Sequence, residues 1–183
     1  MIKSLKNISI ICAISSIFFL GCTQDEHASF PKQSGEIPDQ EARNIVISSS
    51  LDGILEYKLK ANYMQKFIKR NFTIADTAEI TSYKKDGTIK TVLTCDKAEL
   101  DDTNNVFIGI GNVIVISENA ILKTPYLRWD RNSDEFWAKD GVTILQEGNE
   151  MHGEKMHSDA LMNTIEITKV SAEGQFNEKN IDW

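Results

Sequence analysis

The sequence predicts an all-β domain of antiparallel strands, and three observations carry that expectation. From Cys95 to Gly174 one pattern recurs three times at a spacing of 29 residues. Ala98, Leu127 and Met156 form an apolar column, Asp101, Asp130 and Asp159 an acidic one, and Phe107, Phe136 and Ile165 a second apolar one. Each copy is an alternating segment, a polar turn and a longer β-branched run, which is the chemistry of strand, turn and strand. No window there sustains the 3.6-residue apolar spacing of a helix. A unit of this kind cannot bury its apolar face alone, so the copies must stack into one continuous sheet, a meander.

Taken in order, residues 1–22 read as an export signal. Lys3 and Lys6 supply the positive end, Ile8 to Leu20 the apolar stretch, and Leu20-Gly21-Cys22 the small residue before a cysteine. Those thirteen apolar-stretch residues fall short of the roughly 20 that a bilayer span needs. A lipoprotein signal is therefore expected, cut before Cys22, whose thiol and amine would carry acyl chains; an uncleaved membrane anchor is the competing reading. Residues 23–44 are polar, include Pro31, Gly35 and Pro38, and are expected to be a flexible tether to a folded domain at 45–183.

Apolar residues return at Ile45-Val-Ile47, and Leu55, Tyr57, Leu59, Ala61 and Tyr63 share one parity, the mark of a strand with one buried face. Phe72 to Tyr83 is the next strand, with Phe72, Ile74, Ala78 and Ile80 expected on one face. Asp86-Gly87 is a hairpin signal before Thr88 to Leu93. The repeat copies then predict strands at Lys97 to Leu100 and Val106 to Ile116, at Tyr126 to Trp129 and Glu135 to Leu145, and at Lys155 to Ser158 and Thr164 to Ala172. Gly109 and Gly111 inside the Val106 run mark a bulge, a twist or a close approach. Both parities of that run are largely apolar, so one face fills a core and the other needs a cover: a sheet, a partner or a lipid.

Composition narrows the function. The net charge of −7 becomes −9 once Lys3 and Lys6 leave with the signal, which argues against nucleic acid as a partner. About 140 residues remain to fold, enough for a substantial core. Cys12 lies in the signal and Cys22 is the lipidation candidate, so Cys95 is left alone and no disulfide can form within the mature domain. Packing must supply the stability, and Cys95 reads as a small buried strand residue.

Three constellations invite a chemical reading. The Asp columns could be calcium ligands or glycosidase carboxylates, but they recur once per strand end, where turn formation explains them. His152 and His157, with Glu150 and Glu154 nearby, suggest a metal site; on one strand, however, a separation of five points the rings to opposite faces unless Gly153 makes a bulge. Tyr126, Phe107, Trp129, Phe136 and Trp137 could stack on a sugar or form a core. No phosphate loop, nucleophile elbow or zinc spacing appears, so neither an enzyme nor a cofactor is expected.

The order of motifs resembles the LptC family of lipopolysaccharide-export proteins over roughly residues 50–176. The carriers are Leu59-Lys-Ala61, Asp86-Gly87, Gly111-Asn-Val113, then Leu122, Thr124, Leu127 and Trp129, and finally Val170, Ala172 and Gly174. The sequence departs at Asn119-Ala120, where many relatives have Asp-Gly, and in its lipoprotein-like anchor. The resemblance implies an open, twisted β-jellyroll held at a membrane in the periplasm. It implies partners too: lipopolysaccharide, an inner-membrane ABC transporter that supplies it, and an LptA-like jellyroll that receives it by edge-strand pairing. Phe72, Leu100, Phe107, Val113, Leu127, Trp129, Phe136, Val142 and Ile165 are the expected lining of an apolar lipid groove. The strand near Leu55 to Tyr63 is expected to face the transporter, and the one near Ile165 to Ala172 the receiving protein. The reading from a different class is a structural envelope scaffold, in which the same apolar face is a closed core; a carbohydrate-active enzyme is a more distant third.

Overall fold

The computed structural model describes residues 36–173; the expected signal, with Cys22, lies outside them. Twelve strands form one antiparallel sheet. They are β1 (Gln40–Leu51), β2 (Ile54–Phe67), β3 (Phe72–Tyr83), β4 (Ile89–Asp101), β5 (Val106–Ser117), β6 (Ile121–Asp130), β7 (Glu135–Lys139), β8 (Val142–Gln146), β9 (Asn149–Gly153), β10 (Lys155–Asp159), β11 (Ile165–Thr168) and β12 (Ser171–Glu173). One 3₁₀ turn, Ile68–Arg70, joins β2 to β3. The sheet runs β1 through β7 in order and then to β10 and β11, while β8, β9 and β12 branch from β6. The tether expected to reach residue 44 ends earlier, because β1 begins at Gln40 and its first residues pair with Tyr63 to Lys66 of β2. An edge strand needs only backbone partners on one side, so a polar segment suffices.

Two kinds of turn mark two rims. At one rim Asp52-Gly53 and Glu147-Gly148 have positive φ at both positions (52° and 78°, 51° and 80°), the backbone of the two-residue turns that match strand twist. At the other rim Asp101, Asp130 and Asp159 cap loops: Asp101 Oδ1 accepts from the N–H of Thr103 and Asn104, Asp130 Oδ1 from Asn132 and Ser133, and Asp159 Oδ1 from Asn163 and Thr164. The acidic column of the repeat is therefore a set of turn caps.

A seam of interrupted pairing runs across the sheet between the rims, within the long strands and between the short ones. It passes through Asn44 (φ 49°), Thr77 (φ 53°), and Gly111 and Asn112 (φ 74° and 44°), and then through the Asp140-Gly141 step (φ 68° and 103°) that separates β7 from β8. It continues through Glu154 between β9 and β10 and Lys169 (φ 54°) between β11 and β12. Register shifts between Thr94 and Lys97 and between Ile110 and Val113 lie on the same line. A left-handed residue reverses which face the next side chain meets. Ala75 and Ala78, on either side of Thr77, thus both reach the core although they are three apart; Cys95 and Ala98 do so across the register shift between Thr94 and Lys97.

This corrects three expectations. Phe72 and Ile74 do not share the face of Ala78 and Ile80: Ala75 takes the core position and Phe72 lies outside the main core, beside Phe67 with ring centroids 6.5 Å apart. The run Glu135 to Leu145 is two strands, because Asp140-Gly141 turns the chain from one half-sheet to the other. The same break after Gly153 places His152 and His157 in different strands, opposite Thr143 and Trp137, so both point away from the core. No group of three or more His, Cys, Asp or Glu that could hold a metal occurs among the described residues.

Candidate functional site: an apolar interior with a polar mouth

Folding along the seam turns the inner faces of the two half-sheets toward each other. In one half, paired positions align Leu59, Ile80, Leu93, Val115, Leu122, Ile144 and Met151. In the other, Leu100, Phe107, Trp129, Phe136, Ser158 and Ile165 align, with Ala98, Gly109, Leu127, Ala138, Met156 and Ile167 in the next row. The rows run from strand to strand across the sheet, so the interior is one continuous layer, apolar in these rows except at Ser158.

Seven of the nine expected lining residues, Leu100, Phe107, Val113, Leu127, Trp129, Phe136 and Val142, fall in this single cluster, and Ile165 packs against it. Phe72 does not join them. Trp129 stands edge-on to both Phe107 and Phe136, at 6.4 and 5.8 Å between centroids, the geometry aromatic quadrupoles favour. Trp137 and Tyr126 take the outer face instead: Trp137 is 44% exposed and stacks on His157 at 3.7 Å, while Lys139 lies 4.4 Å over the Tyr126 ring. Leu59, Ile80, Val115, Leu122 and Ile144 also line the interior and were not among the expected groove residues, although Leu59 was expected on a buried strand face. Their alternation was readable, but their facing the repeat rows depends on the seam. Cys95 sits in the same core, and burial pushes its thiol up to about 12, so it stays protonated and inert at neutral pH.

The interior is closed. Phe107, Leu127 and Phe136 are 0% exposed. Toward β1 it loosens: Ile45 and Tyr57 are partly buried against it, and Ile47 is 39% exposed. Opposite the seam the two rims meet through polar side chains and form a mouth. Arg131 of the β6–β7 loop places its guanidinium 5.4 Å over the Tyr57 ring of β2. Asp134 of the same loop pairs with Lys90 of β4 and accepts from Trp129 Nε1 at 3.4 Å. Asn119 donates to Leu161 O at 3.1 Å and Asn163 Oδ1 at 2.8 Å in the β10–β11 loop. At the fork where β6 passes from β7 to β8, the Thr124 hydroxyl lies 2.9 Å from Gly141 O and 3.3 Å from Lys139 O, tying the two branches to the seam. On the outer side a cleft of about 540 Å³ follows the seam beside Asn112, Lys123, Gly141, His152 and Gly153.

The described residues thus form a buried apolar interior bordered by polar side chains. A family model for lipopolysaccharide-assembly, LptC-related proteins matches residues 8–173. The chain belongs to the LptC family. No curated protein sequence matches it. Among solved structures, LptH, the LptA homologous periplasmic component of the conserved lipopolysaccharide transport device from Pseudomonas aeruginosa, is similar to this LptC-family chain. It covers 65% of this chain and 94% of its own, with a TM-score of 0.56 and 13% identity. At that identity the likeness shows the fold: the open, twisted β-jellyroll expected from the sequence. No helix among the described residues is long and apolar enough to cross a membrane.

Proposed function

We propose that this protein is a membrane-tethered periplasmic module of lipopolysaccharide export. It accepts the lipid from an inner-membrane ABC transporter, shelters the acyl chains between its half-sheets and passes them to an LptA-like jellyroll. The observation that carries this reading is the predominantly apolar interior that runs from strand to strand across an open sheet. Family membership and the jellyroll fold support it. Anchoring is assigned to residues 1–22, with Cys22 as the acylation site if the signal is cut there.

The transporter-facing edge needs correction. The strand expected there, near Leu55 to Tyr63, is β2, and β1 covers it along its length. Among the described residues the free edges are β1 at one end and β11 with β12 at the other. Antiparallel pairing alternates direction along the sheet, so β1, β11 and β12 all run the same way. Both edges also cross the seam, at Asn44 and at Lys169. A head-to-tail neighbour would add to either edge in parallel, seam against seam, and join the two interiors.

The closed core is the one observation that favours the scaffold reading. The deciding experiment places a photocrosslinking residue in the full chain at Phe136, or at Lys139 on the outer face of the same strand, with lipopolysaccharide present. A lipid adduct at 136 and none at 139 is expected. A folded protein with no adduct at either position would leave the scaffold.

A further inference from the structure

The mouth holds two cations that the apolar interior does not need. Lys90 and Arg131 have side chains only 19% and 11% exposed. Each is matched to a carboxylate: Lys90 to Asp134, and Arg131 Nη2 to Asp102 Oδ1 at 3.2 Å. The match is incomplete, because Arg131 Nε is buried with no hydrogen-bond partner. A buried guanidinium donor left unmet is costly and is normally satisfied. These cations sit where the β6–β7 loop crosses to β2 and β4, in polar contacts that hold this part of the mouth closed. Asp134 also ties the latch to the interior, since it receives the Trp129 indole N–H.

We propose that Lys90 and Arg131 form a site for the phosphate of an anionic amphiphile whose acyl chains enter the interior beneath, and that this phosphate competes with Asp134 and Asp102 for them. The inference rests on the lipid-transfer reading and adds the headgroup class and the residues that recognise it. A phosphate offers the planar guanidinium of Arg131 two acceptor oxygens at once and can take the unmet Nε–H. It offers Lys90 a second negative charge, which frees Asp134 and with it the loop. In a protein of net charge −7, cations half-hidden at the mouth also keep an anionic headgroup from being repelled. The competition makes the latch responsive: a neutral amphiphile meets a mouth held by ion pairs, whereas an anionic one exchanges those pairs for its own.

The test measures binding of short-chain, monomeric amphiphiles to the full chain by calorimetry. A dihexanoyl phosphatidic acid is compared with the diacylglycerol of the same chains and with inorganic phosphate. The phosphatidic acid is expected to bind at least ten-fold more tightly than the diacylglycerol, and inorganic phosphate far more weakly than either. Lys90→Gln with Arg131→Gln should abolish the preference, so that the phosphatidic acid binds no more tightly than the diacylglycerol does to the same variant. Asp134→Asn, which removes the competing charge, should tighten the phosphatidic acid several-fold more than the diacylglycerol, a selective gain that a loosened mouth or a folding defect does not produce. Equal binding of the two amphiphiles by the native protein overturns this site and leaves the lipid reading standing. Phosphate bound as tightly as the phosphatidic acid also overturns it, because headgroup and chains would then be independent. Binding of neither amphiphile sinks the lipid reading and this inference together.

Discussion

The two long sides of the folded sheet are built differently. Along the seam, β1 to β6 run unbroken from one half-sheet to the other, in strands of 10 to 14 residues, and left-handed residues turn the backbone. Along the mouth no strand crosses; Arg131, Lys90, Asp134, Asn119 and Asn163 meet only through side chains. Backbone continuity cannot be undone without unfolding, whereas half-exposed polar contacts are individually worth about 1 kcal/mol or less. The mouth is therefore the side of the interior held by the weaker contacts.

The sharpest way to break the comparison is to remove packing that both half-sheets share. Leu127→Ala should lower stability by about 2–5 kcal/mol, with coincident urea transitions by fluorescence and circular dichroism. Separate transitions would mean that the half-sheets fold independently and share no core. Phe136→Asp, attractive as a groove probe from the sequence, is a poor one here: an unpaired charge at a fully buried position unfolds the protein before it tests lipid binding.

Next in size is the seam. Gly111 has φ 74°, and a Cβ there would stand 2.6 Å from Asp96 Oδ2, the oxygen that accepts from Asn112 Nδ2 at 2.8 Å. Gly111→Ala is expected to cost about 1–3 kcal/mol and to speed hydrogen exchange on both sides of the seam. Exchange changed only on β5 would deny the seam its role as one line. At the mouth, Asn119→Ala should shift the melting temperature little, with a loss below about 1 kcal/mol, yet increase binding of an apolar fluorescent dye. Unchanged dye binding would show that this contact does not guard the interior.

The smallest effect belongs to the loop caps. Burial raises the Asp159 carboxyl, but the N–H groups of Thr164 and Asn163 and the Asn163 side chain together hold it below its ordinary value of 3.8. Asp130 is also held low, where the Asn132 and Ser133 N–H groups and Arg128 outweigh burial. A folded value below the unfolded one stabilises at pH above the unfolded value and is lost as pH falls through the folded one. Melting temperature should therefore drop as the solution is acidified below pH 3.8, and Asp159→Asn, which keeps the acceptor oxygen without the charge, should blunt that drop. An identical acid limb in the variant would assign the loss elsewhere.

Much of the fold was legible because its signals are local. The 29-residue columns named the loop caps at Asp101, Asp130 and Asp159, and alternation named most strands. Asp52-Gly53, a hairpin signal of the same kind as Asp86-Gly87, was equally readable and marks the turn that makes β1 an edge strand. The lining residues of the repeat were legible too, since β-branched and aromatic columns at one parity must share a face. Phe72 was misplaced because Thr77 adopts left-handed backbone that its side chain does not announce, and parity counted across such a residue inverts; Leu59, Leu122 and Ile144 were passed over because their facing the repeat rows depends on the fold about the seam.

Local chemistry thus determined the strands, the caps, the apolar columns and the family. Only the tertiary structure decided which columns face each other, that the chain forks at Gly141, that β1 is the outer edge, and that Arg131 and Lys90 meet carboxylates at a common mouth. The physical reason is separation along the chain. Turn and alternation are set by residues within a few positions, whereas Arg131 reaches Tyr57 and Lys90 reaches Asp134 only after the whole sheet has folded about its seam.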